Sequence, residues 1–427
     1  MNTCAIVGVN WGDEGKGRMV DYLAEQYDLV VRYQGGNNAG HTVINEYGKF
    51  ALNLLPSGIF RREKVNLLGV GTVVNPEHLV GEIERVRAQG VAITPDNLKI
   101  SDRAMIVFPF HPLQDQLEEN RLGDLKYGST RRGISPIYGD KYMKKAIQMG
   151  DLKHPEVLHK HLKTLVDWKN AVLCKAYDQP PIDIEEVEAW LARYATALKD
   201  HICDAGELLK SARADGKRIL FEAQLGALRD IEYGIYPFTS SSSPLSAYAP
   251  LGGGLPSIKL DRVVGVVKAY SSCVGEGPFV GELLAEEGDW LREAGGEYGA
   301  ATGRPRRVGW FDIVATRHGA ELQAATEIAL TKLDVLSGLV EIPVCVRYRL
   351  DGVEIERFPY TQDLYDCEPV YEVLPGWDED ISGVRRFEEL PEAARQYVEY
   401  VERALGVAIR YVSVGPDREQ LIIRQEA

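Results

Sequence analysis

No stretch of eighteen consecutive apolar residues occurs in the chain, so none of its helices is expected to span a membrane. Nor does a charged segment followed by an apolar core open the sequence, and no secretory signal is expected. Cysteine is scarce: six residues, at 4, 174, 203, 273, 345 and 367, with no CxxC pair and no zinc-ligand spacing. A disulfide scaffold and a zinc module are thereby set aside, and the thiols read as those of a reducing cytoplasm. Positive charge is also short, with 49 Lys and Arg against 63 Asp and Glu, a net of −14. That balance argues against general affinity for nucleic acid. An anionic small molecule would need local basic clusters instead.

What is present is a globular composition, 45% hydrophobic and 26% charged over 427 residues, enough for a large core. Short apolar runs at residues 5–7, 29–31, 67–74, 106–108, 219–221, 263–267 and 328–330 alternate with helical segments. One helix is signalled by Asn75 as cap, Pro76 in the first turn, Leu79, Ile83 and Val86 on one face, and Gly90 as stop. Another spans residues 391–405 and ends at Gly406. Two alternating runs within 344–358 flank Asp351-Gly352, a hairpin signal. There is no internal repeat, and the serine-rich segment 239–246 is too soon followed by apolar runs to mark a boundary. The alternation predicts an α/β protein with a large, mostly parallel sheet, whose ligand loops collect at the carboxyl ends of the strands.

The segment "WGDEGKGRMV" (11–20) follows the first apolar run and precedes Met19, Val20, Leu23 and Ala24 at helical spacing. Strand, glycine-rich turn and helix N-terminus together form an anion site, where unpaired N–H groups meet the positive end of the helix dipole. Lys16 adds a full charge, and phosphate is the expected guest. Neither GxxxxGK[ST] nor GxGxxG is matched, since Asn10 and Gly17 stand at two of the required Walker positions. A plain strand-to-helix turn is the alternative, but Asp13 and Glu14 would repel a phosphate unless they bind metal or take a proton. Their presence suggests chemistry.

Further loops carry complementary groups. "QGGNNAGHTV" (34–43) places His41 in a second glycine cluster, where acid–base work near neutrality is expected of it. "AATGRPRRVGW" (300–310) supplies Arg304, Arg306 and Arg307, guanidinium forks suited to carboxylate and phosphate. "GSTRRGISP" (128–136) has the same character, and "ALTKLDVL" (329–336) sets Lys332 and Asp334 after a strand. An aspartate there can accept from both N1–H and the 2-amino group of guanine, a donor pair that adenine lacks. His159 and His161, two apart on a helix, diverge and read as solvated rather than as metal ligands.

Taken together, WGDEGKG, RYQGGNNAGHT, LLPSGI, STRRGI, KAYSSCVGEGPF, GAATGRPRRVGW, LTKLDVL and SVGPDR resemble the adenylosuccinate synthetase family, end to end and in order. The resemblance implies a single catalytic domain over residues 1–427 with inserted subdomains, its fold related to the P-loop nucleotide-binding folds. It implies a cytoplasmic homodimer that joins IMP and L-aspartate using GTP and Mg²⁺, through a 6-phosphoryl-IMP intermediate.

Carried over by position, Asp13 would be general base, His41 acid, and Lys16 a third catalytic group. GTP would be held by Gly12, Asp13, Glu14, Gly15, Lys16, Gly17 and Arg18, by Gly40, His41 and Thr42, and by Arg306. Around its guanine would stand Lys332, Leu333 and Asp334 with Ser413, Val414 and Gly415. IMP would meet the first loop (Asp13, Glu14, Gly15, Lys16), Asn38, Ala39, Gly40 and His41, then Thr130, Gln224, Ser240 and Arg304, with Lys144 reaching it from a second subunit. Aspartate would meet Ala300, Ala301, Thr302, Gly303, Arg304, Pro305 and Arg306. Asp13 and the Gly40 carbonyl would hold Mg²⁺. The chain departs from the family pattern at Asn10, Arg131, Lys144 and Ser240, and "FEAQLG" leaves open whether Gln224 or Leu225 occupies the IMP contact. A relative acting on another 6-oxopurine nucleotide such as dGMP, and a GTP-binding switch, are the alternative readings.

Overall fold

The computed structural model describes residues 2–299 and 303–424. A ten-stranded sheet runs through it, in the spatial order Leu421–Ile423, Ile409–Ser413, Glu327–Thr331, Arg262–Lys268, Thr3–Gly8, Ile219–Gly226, Leu29–Arg32, Val65–Leu68, Leu98–Ser101 and Ile202–Cys203. Every neighbouring pair is parallel except the first, which is antiparallel. The central strands are buried throughout because helices and loops cover both faces, which is why they read as unbroken apolar runs. Parallel pairing places the carboxyl ends of nine of these strands on one edge. Gly8, Arg32, Gly226, Lys268, Thr331 and Ser413 end there, and each leads into a loop singled out by sequence.

Five helices are needed below: α1 (Lys16–Leu23), α2 (Pro76–Arg87), α3 (Phe110–Leu122), α4 (Ile134–Tyr142) and α5 (Pro155–Tyr177). α2 starts as predicted, with Asn75 accepting from His78 N–H and Leu79, Ile83 and Val86 buried. Helix Glu392–Leu405 stops at Gly406, whose φ of 68° suits glycine. The Asp351-Gly352 hairpin forms, with Leu350 opposite Val353 and both turn residues at positive φ.

Two strand expectations fail. Residues 67–74 are not one strand: the chain turns at Gly69 and Gly71, where an added Cβ would lie 2.5 Å from Gly252 O and 2.1 Å from Tyr33 O respectively. A close backbone crossing there ends Val65–Leu68, and Val73–Val74 then pairs only with Met105–Ile106, outside the main sheet. Of the run at 106–108, only Ile106 lies in a strand, the two-residue Met105–Ile106. The serine segment 239–246 is no linker: it threads the site through hydrogen bonds of Ser240, Ser242 and Ser246.

Candidate active site

The first loop is shaped by three positive φ values in four residues, Gly12 at 109°, Asp13 at 61° and Gly15 at 100°. The acids divide their work. Glu14 is buried and faces its own loop, accepting from Gly12 N (2.8 Å) and Asn10 N (3.2 Å) and pairing with Lys16 Nζ (2.6 Å). Its charge thus organises the turn, a use that loop composition does not reveal. Asp13 stays 31% exposed and pairs with Arg306 Nη2 at 3.0 Å. Gly15 caps α1 without any side-chain hydrogen bond, and Thr331 Oγ1, at the end of the strand two places along the sheet, fixes the loop by donating to Glu14 O at 2.7 Å.

His41 is not in a loop but opens the hairpin strand His41–Asn45, opposite Leu52, and it is buried. Its Cβ lies 2.9 Å from where a side chain on Gly17 would begin, so only glycine lets α1 meet it. Glu222, wholly buried, lies with Oε1 2.5 Å from His41 Nδ1, and also accepts Ser57 Oγ–H (2.6 Å) and Ser57 N–H (2.8 Å). Burial opposes its charge, but His41 and Arg32 outweigh burial and hold Glu222 below the usual carboxylate range. An ionised Glu222 only accepts, so the proton on Nδ1 is donated to it and Nε2 is left for other work. Burial also holds the His41 pKa below its ordinary value; the Glu222 hydrogen bond pulls it up, and Arg32 and Lys16 push it down.

A polar ladder runs on from there. Arg32 Nη2 donates to Gln224 Oε1 (2.8 Å), Gln224 Nε2 to Asn38 Oδ1 (3.0 Å), Gln34 Nε2 to Gln224 O (2.7 Å) and Ser242 Oγ to Gln34 Oε1 (2.9 Å), with Ser240 Oγ 3.2 Å from Ser242 Oγ. Gln224 is therefore the residue whose side chain reaches Asn38. Leu225 takes φ 60° in a bulge: Ile6 pairs with Glu222, but Gly8 pairs with Gly226.

Arg306 joins two halves of the site, with Nη1 on Glu297 Oε2 (2.9 Å) and Nη2 on Asp13. Glu297 is buried and also takes Lys268 Nζ on both oxygens at 2.8 Å. Burial opposes its charge, but Lys268 and Arg306 prevail and hold it at about 2. Arg304 is exposed and pairs with Glu276 at 3.1 Å. Gly303 and Pro305 flank it on the surface, and Ala300, Ala301 and Thr302 lie outside the described residues.

At the far end, Lys332 follows the strand at φ 65° and donates to Gly295 O at 2.7 Å. Asp334 is half-buried in the short 3-10 turn that follows, while Leu333 packs into the core. Burial raises the Asp334 pKa, against Lys332 and Arg18. Arg18, from α1, donates to Ser413 Oγ, Gly415 O (2.7 Å), Asp417 O and Gln420 O (3.0 Å). Burial lowers its guanidinium to about 10, with Asp334 and Asp417 opposing. Val414 is buried in the hydrophobic core.

Asn38 and Gly40 are half-buried, Ala39 is buried, and Thr42 faces outward on its strand. Thr130 and Lys144 stand apart on the surface, Lys144 at φ 61° beyond α4. Its neighbours Lys141 and Lys145 lie over the rings of Tyr138 and Trp168. His159 and His161 are exposed and face Glu188 and Asp151.

Sequence reasoning missed Glu222, Arg32, Lys268 and Glu297. Three of these four were signalled: a charge within or ending an apolar strand run (Arg32, Glu222, Lys268) must be paired when the strand is buried on both faces.

The sequence model of the adenylosuccinate synthetase family matches residues 5–422. Adenylosuccinate synthetase 2 of Pseudoalteromonas translucida is 51% identical, over 99% of this chain and 100% of that protein. Adenylosuccinate synthetase of Caldanaerobacter subterraneus is 46% identical over 99% of each. Among solved structures, the fully ligated adenylosuccinate synthetase of Plasmodium falciparum superposes with a TM-score of 0.94 at 38% identity, covering 100% of both chains. Succinoaminodeoxyadenylate synthetase of cyanophage S-2L, solved with dGMP and dATP, reaches 0.58 at 19% identity, over 99% of this chain and 95% of that one. That second likeness is one of fold.

Proposed function

The chain belongs to the adenylosuccinate synthetase family, ligases that join IMP to aspartate in AMP biosynthesis, and from that premise we propose how its own residues divide the work. The observation that carries the reading is a carboxylate, Asp13, set on a glycine-rich loop at a helix N-terminus and paired with Arg306 at 3.0 Å. The 6-oxygen of a purine is a poor leaving group. Asp13 takes the N1 proton of IMP, and the negative charge moves to O6, which attacks the γ-phosphorus of GTP and releases GDP. Lys16, the α1 N-terminus and Arg306 offset charge on the transferred group. The aspartate amine then attacks C6, and phosphate leaves with the O6 oxygen.

His41 is the acid. Without ligand its pKa is held down by burial, so arriving phosphate charge is what brings a proton to Nε2, while Glu222 keeps Nδ1 engaged. Glu222→Gln is expected to cut kcat roughly 10- to 100-fold with the KM values little changed. Because Glu222 raises the His41 pKa, its neutralisation moves the limb of the pH–rate profile assigned to His41 to lower pH. An unshifted profile with normal kcat refutes the positioning role.

No group of three or more His, Cys, Asp or Glu able to hold a metal occurs among the described residues. Mg²⁺ takes one or two protein oxygens and completes its shell with phosphates and water. Asp13 and the Gly40 carbonyl are hard oxygen donors of that kind and would hold it. When bound, the ion supplies positive charge to the γ-phosphoryl group.

Lys332, Asp334 and the Ser413-Val414-Gly415 turn take guanine, and Asn38, Thr130, Gln224, Ser240 and Arg304 take IMP. The loop 300–306 takes aspartate. The cysteines are free among the described residues, in keeping with a cytoplasmic setting.

Lys144 acts across a homodimer interface. Its ammonium replaces a guanidinium as a point charge for phosphate, without the fork, and it is exposed beyond α4. Lys144→Ala is expected to raise KM for IMP far more than KM for GTP, with turnover little changed. Mixing it with Asp13→Asn gives heterodimers in which one site carries both lesions and the other neither. At IMP concentrations far below the KM of the Lys144→Ala variant, where both parents turn over little, activity should then rise on subunit exchange; a mixture no more active than its parents after verified exchange refutes the trans assignment.

The direct test of the whole reading is an absorbance change that requires GTP, aspartate and IMP together. Faster turnover of dGMP would favour the other nucleotide class, and GTP hydrolysis without aspartate or IMP would favour the switch. The full-length match to a ligase family leaves the switch without support.

A further inference from the structure

Two buried carboxylates on one helix have no part in the chemistry above. α3 carries Asp115 and Glu119 one turn apart, 5% and 6% exposed, beside residues 127–133. Glu119 accepts the backbone N–H groups of Tyr127, Gly128 and Ser129, each at 3.1 Å. Asp115 accepts Ser129 Oγ–H at 2.7 Å and Gly133 N–H at 2.8 Å. The segment itself lies largely on the surface: Lys126, Tyr127, Thr130 and Arg131 are exposed, and Leu125 before it is 76% exposed. Apolar burial does little to hold it, whereas hydrogen bonds to buried carboxylates are among the strong ones.

The clasp has firm supports on either side. Behind it, Phe108 N–H donates to His111 Nδ1 (2.9 Å), so the neutral ring gives its Nε2–H to Asp140 (2.9 Å). Lys169 binds Asp140 (2.6 Å) and Gln114 (2.8 Å), which locks α3, α4 and α5 together. In front, a Cβ on Gly128 would lie 3.0 Å from Glu276 N. The turn at 274–276 is held by the buried Arg229, which donates to Val274 O (2.6 Å) and Glu276 O (3.3 Å), and Glu276 pairs with Arg304.

We propose that Asp115 and Glu119 are positioning residues that preorganise residues 127–133, so that Thr130 is in place before the nucleotide arrives. The proposal rests on the reading of Thr130 as an IMP contact. Without the clasp, ordering this segment becomes part of binding IMP, which weakens IMP and leaves the chemical step alone.

The test compares the full-length protein with Glu119→Ala, Glu119→Gln and Asp115→Asn. Steady-state constants are measured alongside tryptic cleavage after Lys126, Arg131 and Arg132, with and without IMP. Glu119→Ala is expected to raise KM for IMP about tenfold, with kcat and KM for GTP within about twofold. Cleavage without IMP should accelerate by a similar factor, and saturating IMP should slow it again. Glu119→Gln, with one acceptor oxygen left, should fall between the two, and it carries the test if the alanine variant does not fold. Parallel changes in both KM values and kcat, or unchanged cleavage, would overturn the proposal. Failure of the Thr130 reading looks different: IMP would then be turned over by the unsubstituted protein without protecting this segment from cleavage, whatever the variants' cleavage rates.

Discussion

Asp13→Asn is expected to lower turnover by at least ~100-fold, the scale of a lost general base. The substitution is close to isosteric and suits the site in two further respects. Asp13 sits at φ 61°, a region asparagine tolerates better than most residues. The loop around it is held by Glu14, through Gly12 N, Asn10 N and Lys16, rather than by Asp13. The fold should therefore survive, while proton removal and the carboxylate's share in holding Mg²⁺ do not. Thermal unfolding near that of the unsubstituted protein would confirm that the loss is not one of folding. A variant retaining a tenth of the original turnover would refute the base assignment.

The second large effect is expected in nucleotide choice. Asp334→Asn should weaken GTP and improve XTP, since xanthine offers an acceptor where guanine offers its 2-amino donor. Leaving a buried donor unpaired costs roughly 1–3 kcal/mol, up to ~100-fold in affinity. Asp334 is half-buried, and its desolvation is partly offset by Arg18 and Lys332, so the carboxylate is poised for a ligand with two donors. Competition between GTP and XTP for the substituted enzyme measures the switch. An unchanged preference would remove Asp334 from guanine recognition.

Much of this was legible in the sequence where the signal is local. The turn before α1, the cap and stop of α2 and the Asp351-Gly352 hairpin depend on residues within a few positions of each other, and all formed. What escaped depends on distant partners. His41 read as a loop residue because its pairing with Leu52 is invisible without the second strand. Residues 67–74 read as one strand because the backbone that Gly69 and Gly71 must approach lies at Tyr33 and Gly252. The choice between Gln224 and Leu225 turned on a bulge against the strand Thr3–Gly8, which shifts the register by two residues. Glu222 was overlooked although a lone charge in an apolar run is its own announcement, and the partner it required, His41, had already been singled out.

Arg18 holds the 413–420 loop across a separation of 395 residues and more. In order of synthesis, the turn before α1 and His41 leave the ribosome first, and the 413–415 turn follows only after nearly all the rest. The early half of the nucleotide site must therefore wait, with its glycine turn held by Glu14 and Lys16, until the last main-sheet strands are in place. A nascent chain arrested before residue 413 would carry Asp13, Lys16, His41 and Asp334 and still lack the loop that Arg18 braces beside them. The wall of the site opposite Asp334 is thus a late acquisition of the growing polypeptide, and it arrives together with the closure of the sheet edge.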